Sequence, residues 1–221
     1  MSPPNDPKEK VGERFDPAAM NSAQAKAWTA VRAVAKSCKP GMTEKDAAVL
    51  LKEALAAAGI DKIWHPPQIR FGKNTTKPFA VPGDKTIALQ SNDIFFLDIG
   101  PVFEGYESDV GETFVVGNDP DQHRIAADSK AIFQEVQRHW RESGESGPEL
   151  YRFAETAAEK RGWRISFEGA SGHRISEFPH SVHWRGKLKT FESRPSPDRW
   201  ILEIHLLHPE GHYGAFFEDL L

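Results

Sequence analysis

Apolar positions along this chain follow two different periods. In NSAQAKAWTAVRAVAKSC, Ala27, Val31 and Val34 recur at helical spacing, which predicts a helix from about Ser22 to Cys38. Pro40 and Gly41 stop it. Thr43 opens a second helix, with Asp46 as a variant of the capping-box acid and Ala47, Leu50, Leu51 and Leu55 as the buried stripe; Gly59 ends it. From Ile69 to Val116 the pattern turns to strands. The segments QIRFG, TIALQ, DIFFLDIGPVF and DVGETFVVG are short, rich in β-branched or aromatic residues, and separated by Gly, Pro and Asn. Two more helices follow, from about Asp121 to Ser143 and from near Pro148 to Arg161. WRISFEG, RWILEIHLL and AFFEDLL close the chain as strands. Helices and strands in separate runs predict an α+β fold with an antiparallel sheet. Residues 1–18 are polar and proline-rich and read as a flexible tail, leaving 19–221 as a single domain.

Acids interrupt the apolar strands. Asp98 ends the run Ile94 to Leu97, and Asp109 follows just before Gly111. Their spacing is odd, so one straight strand would put them on opposite faces. A two-residue hairpin loop brings them together. With Phe103-Glu104 in the loop, Asp98 faces Asp109 directly; with Glu104-Gly105, Asp98 faces Gly111 and Asp109 is its diagonal neighbour. Like charges so close destabilise a half-buried sheet unless a cation offsets them, whereas a solvated face would leave both harmless. Two further apolar strands carry an acid: Glu203 in WILEIHLL and Glu218 in GAFFEDLL. A lone buried Glu is costly unless paired or coordinated. His173 sits directly after Gly172 in a glycine-bearing loop, a usual place for a ligand. Four carboxylates and one imidazole make a two-metal donor set, suited to hard or borderline cations.

Composition narrows the function classes. The net charge of −4 is spread over interspersed signs, with no basic stripe, which argues against nucleic acid as partner. No apolar run reaches the roughly 18 residues of a membrane span, and the N-terminus has no apolar signal core, so a cytoplasmic location is expected. Cys38 is the only cysteine and cannot form an internal disulfide or a cysteine metal cluster. A homodimer is the base-rate expectation for the assembly.

The motifs carry a resemblance. DIGPVFEGYESDVGETFVVG resembles the metal-binding hairpin of the pita-bread metallopeptidases, the family of methionine aminopeptidase, aminopeptidase P and prolidase. GHRISEFPH is similar to that family's Gly-His loop, and ILEIH and FFEDLL to its two glutamate strands. The resemblance covers about Gln24 to Leu221. It implies a curved antiparallel sheet covered by helices, and two divalent ions (Mn, Co, Fe or Zn). Asp109 and Glu218 would bridge them, Asp98 would chelate the second, and His173 and Glu203 would complete the first. It further implies hydrolysis of an N-terminal or Xaa-Pro bond of a short peptide by a metal-bridging water or hydroxide. Glu203 would shuttle the proton, and His180 would contact substrate and stabilise the tetrahedral intermediate.

His65, before Pro66-Pro67, is expected at the substrate mouth; HPPQIRFGKNT looks nearest the aminopeptidase P and prolidase branch. Those relatives usually carry an additional N-terminal domain for which this chain has no room. The histidine that methionine aminopeptidases carry near position 80 is Ala80 here. His205 shares a face with Glu203 and reads as a hydrogen-bonded histidine; His183 lies on the His180 loop. Other departures are Glu112 where the family often has Arg, a short connection from Glu203 to Glu218, and a last strand with little chain beyond it. Two other functions fit the same residues: a hydrolase or lyase acting on non-peptide molecules, and a non-catalytic peptide-binding module.

Overall fold

A computed structural model describes residues 6–180 and 184–221; His183 lies outside them. Four α-helices and eight strands are present among the described residues. Helix α1 (Pro17–Ser37) starts earlier than its apolar stripe, because Asp16 accepts a hydrogen bond from the Ala18 N–H and Pro17 supplies the first-turn φ. Helix α2 (Glu44–Ala57) opens on a complete capping box: Asp46 N–H donates to Thr43 Oγ1, and Thr43 N–H to Asp46 Oδ2. Helices α3 (Pro120–Ser143) and α4 (Gly147–Lys160) match their predicted spans to within one residue at each end.

The strands are β1 (Lys62–Phe71), β2 (Asp93–Phe103), β3 (Tyr106–Glu107), β4 (Val110–Val116), β5 (Arg164–Ser166), β6 (His173–Arg174), β7 (Trp200–Leu207) and β8 (Gly214–Leu220). They form one antiparallel sheet ordered β1-β2-β4-β8-β7-β5, with β3 against β2 and β6 against β7. All the helices cover one face. Phe95, Leu97, Ile99 and Phe103 of β2 pack against α1 and α2; Leu202, Ile204 and Leu206 of β7 with Phe217 of β8 pack against α3 and α4. The opposite side of the same strands carries Asp98, Glu203, His205 and Glu218, which alternation dictates.

Three expectations are corrected. TIALQ is not a strand of the sheet: Leu89 exchanges hydrogen bonds with Met42 O and Gly41 N in the α1–α2 connection. The start is not loose from Asp6 onward. Glu9 is 1% exposed and accepts from Ser196 N–H, Ser196 Oγ–H and Trp200 Nε1–H, while Arg174 donates to the carbonyls of Lys8, Lys10 and Arg199. The last strand is well anchored, because β8 is central, paired with β4 on one side and β7 on the other, and Leu221 N–H donates to Trp200 O.

Candidate metal centre

The acids lie in one row across the sheet. Asp98 on β2 pairs with Gly111 on β4, Gly111 with Glu218 on β8, and Glu218 with Glu203 on β7. Cross-strand neighbours in such a row have Cβ atoms about 4.5–5.5 Å apart. The turn fixes the row. Glu104 and Gly105 both have positive φ, 54° and 81°, the conformation of a two-residue type I′ loop. This selects the register in which Asp98 opposes Gly111, and the direct Asp98–Asp109 pairing does not form. Gly111 leaves the space the carboxylates use: a Cβ there would come within 2.9 Å of Glu218 Oε1 and 2.7 Å of Phe216 Cε1.

Asp109 sits just before β4, two positions from Gly111. Its backbone is clamped by a helix side chain: Asp109 N–H donates to Gln24 Oε1 at 3.0 Å and Gln24 Nε2 donates back to Asp109 O. Its two carboxylate oxygens meet two different histidines, His65 Nε2 at Oδ1 and His173 Nε2 at Oδ2, each at 2.9 Å. Gly172, with φ of 66°, places His173. A side chain there would strike Leu188 Cβ at 2.5 Å and Ile201 O at 2.6 Å. The Ser171 and Gly172 N–H groups donate to Glu203 Oε2, fixing one oxygen of that acid. Two overlapping sets of donor atoms each fall within 4.8 Å: His65, Asp98 and Asp109, and Asp109, His173 and Glu218.

Burial dominates the electrostatics. It pushes Asp98 up to about 7, against the pull of His65 and with the repulsion of Asp109. Glu218 is raised well above the ordinary range by burial and then by the charges of Asp109, Asp98 and Glu203, and burial likewise raises Glu203. Burial alone would raise Asp109 as well, but His65 and His173 reverse this and hold it down to about 2. His65 is the mirror image: burial disfavours its charge, yet Asp109 holds it up to about 10. Asp98 Oδ1 and Glu218 Oε1 are buried and have no hydrogen-bond partner. Unpaired buried carboxylate oxygens cost several kcal/mol, on the order of 1–3 each or more, and a divalent cation between them would remove that cost. The donor set therefore fits hard or borderline cations.

His180 is held from behind. Its backbone N–H donates to Glu107 Oε1 at 3.0 Å, its Nδ1 contacts Glu107 Oε2, and its ring stacks on His173 with centroids 6.0 Å apart. Trp64, His65, Phe79, His173, His180 and Lys187 are among the residues around a cavity of about 350 Å³ over the acids.

The sequence-predicted residues Asp98, Asp109, His173, Glu203 and Glu218 thus converge, with His180 beside them. His65, expected at the mouth, lies deeper, directly on Asp109. Glu112 is not beside the site. It pairs with Leu97 and Phe217 on the helix-covered face, where Lys130 of α3 donates to it at 2.6 Å. His205 is the hydrogen-bonded histidine expected: Nε2–H donates to Thr75 O at 2.8 Å, and burial holds it neutral. Glu107 and Gln24 were missed. Glu107 shares parity with Asp109 in ESD, and Gln24 is a polar residue on the apolar stripe of α1; both signals were present.

A buried, oxygen-rich row flanked by imidazoles is the donor set of a metal-dependent hydrolase. The chain belongs to metallopeptidase family M24, which it matches over residues 18–221. It is 26% identical over 176 residues to the Xaa-Pro dipeptidase of Pyrococcus furiosus, a match spanning 74% of this chain and 49% of that protein. The X-Pro aminopeptidase of Thermotoga maritima superposes with a TM-score of 0.73 at 20% identity, covering 91% of this chain and 55% of that one. The methionine aminopeptidase of the same organism gives 0.73 at 14% identity, covering 93% and 92%. The curled sheet with helices on one face is the pita-bread fold of these structures. The chain spans half or less of the length of the dipeptidase and about half of the X-Pro aminopeptidase.

Proposed function

We propose that this chain is a metal-dependent exopeptidase that hydrolyses N-terminal or Xaa-Pro peptide bonds of short peptides. Asp98, Asp109, His173, Glu203 and Glu218 would hold two divalent cations. The row of buried acids with orphaned oxygens at Asp98 and Glu218 is the observation that carries this reading. Bound there, the cations would lower the pKa of a water and polarise the scissile carbonyl. The protein's own residues supply the rest. Asp109 spans the centre through its two oxygens, and Gln24 keeps its backbone from shifting. Glu203 is anchored through Oε2, and burial raises its proton affinity, which suits a carboxylate that takes and returns a proton. His180 donates Nδ1–H to Glu107, and in its doubly protonated form would donate Nε2–H to the substrate oxygen that gains charge. Trp64 and Phe79 form apolar walls of the cavity. The Xaa-Pro preference follows the Xaa-Pro dipeptidase and X-Pro aminopeptidase to which the chain is similar.

The test is metal analysis of the 221-residue chain after incubation with manganese or cobalt, coupled to hydrolysis of Xaa-Pro dipeptides and longer Xaa-Pro peptides. The expected result is two bound ions and peptide cleavage, both abolished in Asp109→Ala. Bound metal without cleavage of any peptide would favour a non-peptide hydrolase or lyase. Absence of both metal and activity would overturn the enzyme reading.

A further inference from the structure

His65 reaches the centre through a break in β1. Its pairing with β2 slips between Ile63 and His65 and again between His65 and Gln68. The second slip falls at Pro66-Pro67, which lack N–H donors. The imidazole drops onto the acids, with Nε2 at 2.9 Å from Asp109 Oδ1 and 3.7 Å from Asp98 Oδ1. The partner strand makes room for it. Gly100 pairs with His65, and a Cβ at Gly100 would lie 2.1 Å from His65 Cδ2 and 2.3 Å from Nε2. Gly100 does not have positive φ, so the turn chemistry that usually explains a glycine does not apply. The ring itself is what needs the space.

The two histidines on Asp109 are arranged alike. His65 Nδ1 lies 3.1 Å from Pro66 O, and His173 Nδ1 lies 2.7 Å from Arg174 O, each the carbonyl of the next residue. A carbonyl only accepts, so Nδ1 carries the hydrogen in both rings, and a neutral ring then presents its lone pair at Nε2. A lone pair 2.9 Å from a carboxylate oxygen repels it unless a proton or a cation lies between them. For His173 the proposed function supplies that cation. His65 meets the other oxygen of the same carboxylate, at the same distance and in the same tautomer.

We propose that His65 is a metal ligand, completing the half-site of Asp98 and Asp109, so that each of the two cations is held by one imidazole. This rests on the two-cation reading above and adds a sixth ligand to its five. It makes the half-site of Asp98 a mixed nitrogen and oxygen site, better suited to borderline ions such as cobalt or zinc than an all-oxygen site would be.

Cobalt loading tests it without recourse to activity. A histidine bound to cobalt through Nε2 gives one exchangeable, hyperfine-shifted resonance from its Nδ1–H. Wild type is expected to show two such resonances and bind two cobalt ions. His65→Gln is expected to show one, with the second ion bound at least about tenfold more weakly. Gly100→Ala, whose methyl group displaces the ring from across the ladder, is expected to behave the same way, and guards against a folding defect peculiar to the first variant. Two ions bound by wild type with a single shifted resonance, or two resonances retained in His65→Gln, would overturn this inference and leave the five-ligand reading standing. No cobalt bound by folded wild type would overturn both.

Discussion

Glu9 and Glu218 are each 1% exposed, yet they are buried in opposite ways. Around Glu9 every donor has an acceptor. Ser196 and Trp200 donate to its oxygens, and the neighbouring Arg174 spends its guanidinium on three carbonyls. Around Glu218 the neighbours are Asp98, Asp109 and Glu203, and Oε1 has no partner at all. Buried charge is therefore not in itself the mark of a site. The first cluster is a closed network that fastens Lys8, Glu9 and Lys10 to Arg174 and to the segment from Ser196 to Trp200. The second is an open one, left short of positive charge, as expected where the fold is kept strained for a ligand.

The sharpest test exchanges one acid in each cluster. Glu218→Gln replaces a buried acid of the crowded row by a neutral amide. It is expected to abolish peptide hydrolysis and lower bound metal from two ions, while the metal-free protein melts no lower than wild type, because a carboxyl whose ionisation burial and its neighbours oppose has gone. Calorimetry in chelator and metal analysis of the same sample check both halves; a marked loss of metal-free stability would place Glu218 with the structural cluster. Glu9→Ala should do the reverse. It leaves Trp200 Nε1–H and the Ser196 N–H without acceptors, at about 1–3 kcal/mol for each orphaned donor, and takes one acid from beside Arg174, which keeps Glu107 and Glu177. Metal content per folded chain should not change. Denaturant unfolding that moves by less than about 1 kcal/mol would show that the closed network is dispensable.

The same contrast explains what could be read from the residues in order. The open cluster was legible because each acid breaks an apolar strand, and chemistry that violates a local pattern stands out. Even the hairpin was narrowed to two registers, and the left-handed pair Glu104-Gly105 decides between them. Glu9 was illegible: it sits in a charged, proline-rich stretch, and its partners are far away in sequence at Ser196 and Trp200. His65 was found but placed too far out, because two slips around Pro66-Pro67 defeat the simple alternation of a strand. TIALQ has the composition of a strand, but its hydrogen bonds go to a helix connection.

Glu107 shares features of both clusters, being buried and paired yet one step from the cavity. If it acts by aiming His180, Glu107→Gln should lower kcat about 10–100-fold, with KM and metal content close to wild type. Equal losses with metal depletion would instead make Glu107 a support of the whole centre. His180→Gln combined with Glu107→Gln should then cost little more than His180→Gln alone, since the two act as one unit.

Acidity separates the clusters more gently. In the metal-free chain Asp98 is held up to about 7 and Glu218 and Glu203 are raised, by burial first in each case, while Asp109 holds His65 up to about 10 against burial and also raises His173. The native protein therefore keeps protons that the unfolded chain has released, and stability falls as pH rises from about 4 towards about 10. Asp109 and His205 have the opposite sign: Asp109 is held down to about 2, so its share is lost only in stronger acid, and His205, lowered by burial, offsets part of the fall at the acid end of the window. Arg174, lowered to about 10 by burial, stays charged between pH 5 and about pH 9 and adds nothing to the slope there. Bound cations replace the protons, and their affinity rises with pH as the ligands are freed. In chelator, Tm is expected to drop by at least about 4 °C between pH 5 and pH 9, and with saturating manganese the drop should vanish or reverse. A metal-free Tm that is flat or rising over that range would mean that the acids of the row are already compensated within the protein, and the distinction drawn between Glu218 and Glu9 would fail.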